Sequence, residues 1–212
     1  MATFGEIQSQ VSQRLLDPNS VAVSASNVAA SINDAIRYWK FRRFWFNVVF
    51  DSVTLTQNVG TIPMSGDILV PSTDYDGFVI EYSGMRYPLR KVTQQEYDGV
   101  WLTNGYGLPY LYARVGLDYE CYPLPDRAYT CKRHYLKEYA ALSIPNDTND
   151  FTNYADRLIM LWACANLTAE LRQDEKMEEY YRNAANDEYK QLQVMSDKSD
   201  GSGRLVLYSN LI

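Results

Sequence analysis

"IRYWKFRRFWFN", residues 36–47, sets six aromatic and four basic side chains in twelve positions. Upstream of it, Val28, Ile32, Ala35, Ile36 and Trp39 recur at helical spacing. They mark one face of a helix that Ser24 or Ser26 caps and that the pattern carries to about Arg43. Downstream, "NVVFDSVTLTQNVG" (47–60) is rich in β-branched residues with partial alternation, and reads as a strand ending at Asn58–Gly60. The period therefore changes inside this stretch, and Phe44 to Asn47 mark the handover from helix to sheet. Aromatics interleaved with Arg and Lys are also the pattern of a nucleic-acid-binding surface. If the helix continues through 43, Arg37, Lys40 and Arg43 align at i, i+3 and i+6, with Arg42 away from them. Trp39 joins the inward stripe, while Tyr38, Phe41 and Trp45 point in other directions. Three readings stay open: a junction between a helical and a β region, a subunit interface, and a nucleic-acid contact. Arg stacking on Trp or Phe suits either of the first two.

Charge weighs against the third. Twenty Lys and Arg face 26 Asp and Glu, a net charge of −6, whereas affinity for duplex phosphates comes from counterion release by a basic surface. With 46% apolar and 22% charged residues the composition is globular and supports a buried core. No apolar run approaches the roughly 20 residues of a bilayer-spanning helix, so no membrane role is expected. Three cysteines, Cys121, Cys131 and Cys164, an odd count with no secretory leader, suggest a reducing compartment and free thiols.

Toward the start of the chain, Thr3 and Glu6 have capping-box spacing, and Phe4, Ile7, Val11 and Leu15 form a helical stripe. "DPNS" (17–20) ends it. Beyond residue 60, short strand candidates follow at 78–82, 85–91, 110–115, 118–122 and 128–136, with 93–102 as a short helix among them. "YPLPD" (122–126) reads as the turn of a hairpin spanning 118–136. After "PNDTNDFTNY" (145–154) helix returns. Leu158, Leu161, Trp162, Ala165 and Ala169 lie on one side and Met160, Leu167 and Leu171 on the other, so this helix is buried on two sides. From Asp174 the surface turns charged, with an inward stripe of Met177, Tyr181, Ala184, Ala185 and Leu192. "MSDKSDGSG" (195–203) reads as a flexible linker before the apolar end "RLVLYSNLI".

The expected fold is α+β. A helical bundle forms from the N- and C-terminal helices (1–46 and 141–195), an antiparallel β region (47–140) is inserted, and residues 196–212 form a linker and tail. Chemistry is sparse. His134 is the one histidine and sits in a strand candidate; no nucleophile elbow or phosphate-binding glycine loop appears. "NDTND" (146–150) resembles part of a calcium loop but lacks its glycine and terminal Glu, and reads better as helix-start residues. No catalytic residue, metal or cofactor is expected. A binding or structural protein is.

Four segments together resemble the head-to-tail adaptor (connector) proteins of tailed bacteriophages, especially short-tailed ones. They are "TFGEIQSQV", "INDAIRYWKFRRFWFN" entering a strand, "YECYPLPDRAYTCKRHYL", and "DFTNYADRLIMLWACANLTAELRQDEKMEEYYRNAANDEYKQL". The resemblance covers most of residues 3–195 and implies a virion protein, not an enzyme. It implies a ring, usually of twelve copies, docked beneath the portal at the neck, extending the DNA channel without sequence-specific contact and offering a platform to tail proteins. Twelve copies at −6 each carry about −72; placed partly on the lumen, that charge keeps the channel from gripping DNA, an expectation that a basic lumen would overturn. Arg37, Lys40, Arg42 and Arg43 are then candidates for subunit or portal contacts, and Trp39 and Trp45 for packed anchors. Leu205, Val206, Leu207 and Tyr208 are candidates for docking the tail on a partner, for example as an added strand. The alternative is a carbohydrate- or receptor-binding tail protein using exposed Tyr and Trp of the β region.

Overall fold

The computed structural model describes residues 1–15, 23–64, 68–71, 77–101, 105–172 and 174–199. Among these it is α+β, with six α-helices: α1 (Phe4–Arg14), α2 (Ala25–Trp39), α3 (Gln94–Trp101), α4 (Asp150–Tyr154), α5 (Asp156–Leu167) and α6 (Glu175–Ser199). The chain divides into two compact units, residues 1–47 with 139–212, and residues 48–138.

The first unit holds five of the helices. Thr3 and Glu6 cap α1 reciprocally: the Thr3 amide donates to Glu6 Oε2 at 2.8 Å and the Glu6 amide to Thr3 Oγ1 at 3.3 Å. Ser24, and not Ser26, caps α2 by accepting from the Asn27 amide. Phe4, Ile7, Val11 and Leu15 of α1 and the Val28–Trp39 stripe of α2 are all buried in one core with α5, nine of whose twelve residues are buried. Polar staples fix the layers. Ser31 Oγ donates to the Ala163 carbonyl, Tyr181 hydroxyl to the Arg14 carbonyl, and the Asn33 amide side chain both donates to and accepts from the Leu142 backbone. Gly5 sits where a Cβ would stand 3.0 Å from Pro145 Cβ, and its amide donates to the Pro145 carbonyl. A side chain there would push α1 off the 143–147 loop.

Among its described residues the second unit contains α3 and eleven short strands: β1 (Val48–Leu55), β2 (Thr61–Ile62), β3 (Ile68–Pro71), β4 (Phe78–Tyr82), β5 (Met85–Pro88), β6 (Arg90–Lys91), β7 (Tyr106–Gly107), β8 (Leu111–Val115), β9 (Asp118–Tyr122), β10 (Leu124–Pro125) and β11 (Tyr129–Lys137). One sheet runs β1-β11-β4-β5, with β3 also on β11; a second runs β2-β9-β8-β6. Their facing residues, among them Leu55, Phe78, Ile80, Tyr112, Tyr119, Cys121 and Cys131, form one core. The other face of the second sheet, Leu111, Ala113 and Tyr122, closes on Tyr97 of α3. Alternation along β8 thus sends Tyr112 one way and its neighbours the other.

Four expectations about the elements are corrected, and two about single side chains: Leu171 and Met177, read as inward-facing, are 44% and 41% exposed. The helix over 24–43 ends at Trp39. The hairpin over 118–136 is absent: β9 pairs with β8 and β2, while β11 lies in the other sheet. The tight turn is at Gly116, whose φ of +64° suits a hairpin. Pro123 and Pro125 offer no such residue, and 124–125 becomes a strand beside β7. The sheets are mainly antiparallel, but β6 runs parallel to β8 and β7 parallel to β10. In the first of these, α3 supplies the crossover that parallel strands require. Finally, α6 continues to Ser199, through the first five residues of the expected linker. Ser196 is buried there, donating to the Leu192 carbonyl.

Candidate assembly interface

The turn that ends α2 is organised by one buried side chain. Asn47 is 0% exposed. Its Oδ1 accepts from the Phe44 amide at 2.8 Å, and its Nδ2 donates to the carbonyls of Arg42 at 2.8 Å and Lys40 at 3.4 Å. The Asn47 amide donates back to the Phe44 carbonyl. This bracket satisfies backbone groups that helix termination leaves open, and it bends the chain before β1. It is also why Arg43 leaves the helical line that would have joined it to Arg37 and Lys40.

Aromatic packing fills the inside of the bend. Trp39, 3% exposed, meets Trp162 edge-on at 5.1 Å and Tyr189 at 4.8 Å. Phe44 stacks on Phe46 at 5.0 Å and meets Phe151 and Tyr189 edge-on. Trp45 is half-buried, meets Phe46 and Tyr154, and its amide donates to Ser196 Oγ. Tyr139 donates to Asp150 Oδ2 at 2.9 Å; burial, and then the neighbouring carboxylate, push its phenol well above the usual range.

The outside of the bend is cationic and apolar together. Tyr38 is 49% and Phe41 60% exposed. Tyr38 lies flat on Trp162 at 4.4 Å, and Arg182 sits over the same indole at 5.0 Å while donating to Glu178. Lys40 Nζ is 5.3 Å from the Phe41 ring centre. Arg37 is exposed and pairs with Asp34 across one helical turn, a contact worth little in water. Arg42 is exposed and Arg43 half-buried. The structure thus brings Arg37, Lys40, Arg42 and Arg43 to one short segment. It places Trp39 in the core of this unit, with Trp45 at its margin. Leu205, Val206, Leu207 and Tyr208 lie outside the described residues.

Sequence reasoning missed Asn47, which looked like the first strand residue, and the Tyr38–Trp162–Arg182 stack. Helical spacing alone does not pair residues from three helices. The 146–150 acidic stretch is structural. Asp147 Oδ2 accepts from the Ser143 and Ile144 amides, which hold its carboxyl below the usual range, and Asn149 caps α4. Among the described residues no cluster of three or more His, Cys, Asp or Glu side chains is placed to hold a metal ion, and no helix is long and apolar enough to cross a membrane.

A family model described as SU10 adaptor protein matches residues 2–206, nearly the whole chain, both units included. The chain belongs to the SU10 adaptor protein family. No curated protein matches it. Family membership supports a phage adaptor with a structural role in the virion. It also supports, in general terms, oligomerisation and contacts with portal and tail proteins.

Proposed function

We propose that the chain is the repeating subunit of a head-to-tail adaptor ring, of the kind found in short-tailed phages. Twelve copies dock beneath the portal at the neck, extend the DNA channel and present a platform to tail proteins. The observation that carries the reading is the family match across residues 2–206. In this reading the helical unit builds the ring wall, the N- and C-terminal helices packing as a bundle, and residues 48–138 project toward tail components. DNA passes through a lumen that does not read its sequence. Arg37, Lys40, Arg42 and Arg43 meet a neighbouring subunit or the portal. The apolar end 204–212 docks on a partner, with Leu205 to Tyr208 making the contact.

Co-assembly with the phage's portal tests the whole reading. Mass measurement and negative-stain images should show closed rings of the chain stacked on the portal, because a portal can template subunits that are monomeric alone. A chain that stays monomeric with the portal present overturns the proposal. Deleting 204–212 should weaken attachment to the portal or to a neighbour while leaving the melting of the monomer unchanged. Attachment at full strength after the deletion sinks the role of the tail.

A further inference from the structure

The edge of a sheet is where one chain can add a strand to another, and proteins blunt such edges with Pro, Lys, bulges or short length. Most edges among the described strands of the β unit are blunted in these ways. β2 and β6 are two residues long, β3 ends in Pro71 and β5 in Pro88. β1 is different. It stands at one end of the first sheet and runs against β11 for eight consecutive pairs without a bulge. It holds no Pro and no Lys. Its one charge, Asp51, is engaged: Oδ1 accepts from Arg133 Nε at 2.7 Å, and Oδ2 from the Tyr135 hydroxyl at 3.2 Å.

The pairing fixes which backbone groups this edge offers. The His134 amide donates to the Gly77 carbonyl at 2.9 Å, so the even-numbered residues of β11 bond toward β4 and the odd-numbered ones toward β1. Asp51, Val53 and Leu55 face those odd-numbered residues and use their own N–H and C=O groups there. The N–H and C=O groups of Ser52 and Thr54 therefore point out of the sheet. Both side chains are exposed, on the same face as Phe50, which is 58% exposed. On the other face Val53 packs against the core between the sheets and is only half-buried. An added strand thus finds four backbone groups to bond and apolar surface on both faces.

The chain itself supplies a segment suited to this edge. Residues 200–212 follow α6. They begin with the polar link Asp200 to Gly203 and run through Arg204 into Leu205, Val206, Leu207 and Tyr208, which carry no charge and no Pro. A closed ring needs two different, complementary surfaces on each copy, and a segment with an edge that receives it is such a pair. Two β1 edges paired with each other make an isologous dimer and stop there, and a segment laid on its own edge joins no neighbour. Resting on the ring reading above, we infer that Leu205–Tyr208 of one copy add as a strand to the β1 edge of the next. Ser52 and Thr54 supply the backbone bonds, and alternate tail side chains cover Val53 and flank Phe50.

Cysteine pairing tests the contact. Ser52→Cys is placed in one chain and Leu205→Cys, Val206→Cys, Leu207→Cys or Tyr208→Cys in another, so that any link joins different copies. The native thiols are buried and stay out of the reaction. Rings assembled on the portal from each equimolar mixture are oxidised and run on denaturing gels. A dimer band is expected at alternate tail positions and lost at those between, because only one face of an added strand lies beside the Ser52 side chain. Thr54→Cys, on the same face, should link the same alternate set. If wild-type rings form but no tail position links, all four link alike, or links need both cysteines in one chain, this inference falls while the adaptor reading stands. If the wild type forms no ring on the portal, both fall together.

Discussion

At the scale of single residues, Asn47 is the side chain on which the turn out of α2 depends. It is buried, and its amide group makes three hydrogen bonds to backbone within seven residues. Replacing it with Ala leaves the buried Phe44 amide and the Arg42 carbonyl without those partners. The cost expected is about 1–3 kcal/mol, the penalty for stranding such groups. Asn47→Asp keeps the acceptor for Phe44 but sets a buried carboxylate oxygen against the Arg42 and Lys40 carbonyls, so it should cost at least as much as Ala. Urea titration monitored by tryptophan fluorescence checks the order, and an Ala variant as stable as wild type removes the bracket from the argument. The basic residues are a different matter. Asn47 engages only the backbone carbonyls of Lys40 and Arg42, so replacing the side chains of Arg37, Lys40 and Arg42 should change assembly far more than the stability of the monomer.

At the scale of elements, turn residues separate the two kinds of glycine in the β unit. Gly116 holds φ +64° between β8 and β9, and a Cβ there meets nothing within 4 Å, so backbone strain alone sets the cost of a substitution. Gly116→Ala should destabilise by about 1 kcal/mol. Gly99 lies inside α3 with equally open space around it, and Gly99→Ala should stabilise by about 0.5–1 kcal/mol through helix propensity. Thermal melts of the two variants should therefore move in opposite directions; a shared direction contradicts the assignment. The same elements show what was legible in the sequence. Caps and stripes are local, so Thr3 with Glu6, the α1 and α2 faces and the two-sided burial of α5 were all readable from spacing. Strand partners are not local. The two Tyr-rich strands around "YPLPD" look like a hairpin because they are adjacent, yet β9 is held by β8, whose turn glycine is the better signal, and β11 is drawn to β1 along eight residue pairs. Helix ends lie between these cases. The stop of α2 at Trp39 is set by Asn47, eight positions on, and the extension of α6 to Ser199 by a serine that binds back into its own helix and receives the Trp45 amide. Of the candidate site, the cationic cluster was readable from composition.

At the scale of the whole molecule, each unit has its own core, and each core contains thiols. Cys121 and Cys131 lie between the two sheets and Cys164 in the helical core, all three free and fully buried. Burial pushes each of them up from 9.0 to about 12. Below pH 9.0 both the folded and the unfolded chain keep these protons, and the thiols make no difference to stability with pH. Between 9.0 and about 12 the unfolded chain releases protons that the folded chain retains, so stability falls as pH rises. The slope is at most about 1.4 kcal/mol per pH unit for each thiol. In the β unit Tyr129, raised from 10.0 to about 12 chiefly by burial, adds to the fall above pH 10.0. The two units should therefore respond separately to cysteine replacement. Trp39, Trp45 and Trp162, three of the four tryptophans, sit in the helical unit, so fluorescence-detected urea titrations between about pH 8 and 11 follow mainly that unit. Cys164→Ala should lower stability at neutral pH, since it removes a buried sulfur, and at the same time flatten the alkaline limb of this signal. Cys121→Ala with Cys131→Ala should leave the slope of that limb unchanged and flatten the loss of β signal in circular dichroism instead. The test lies in the slopes and not in the midpoints: a Cys164→Ala limb parallel to wild type means that the thiol of the helical core does not carry the alkaline loss.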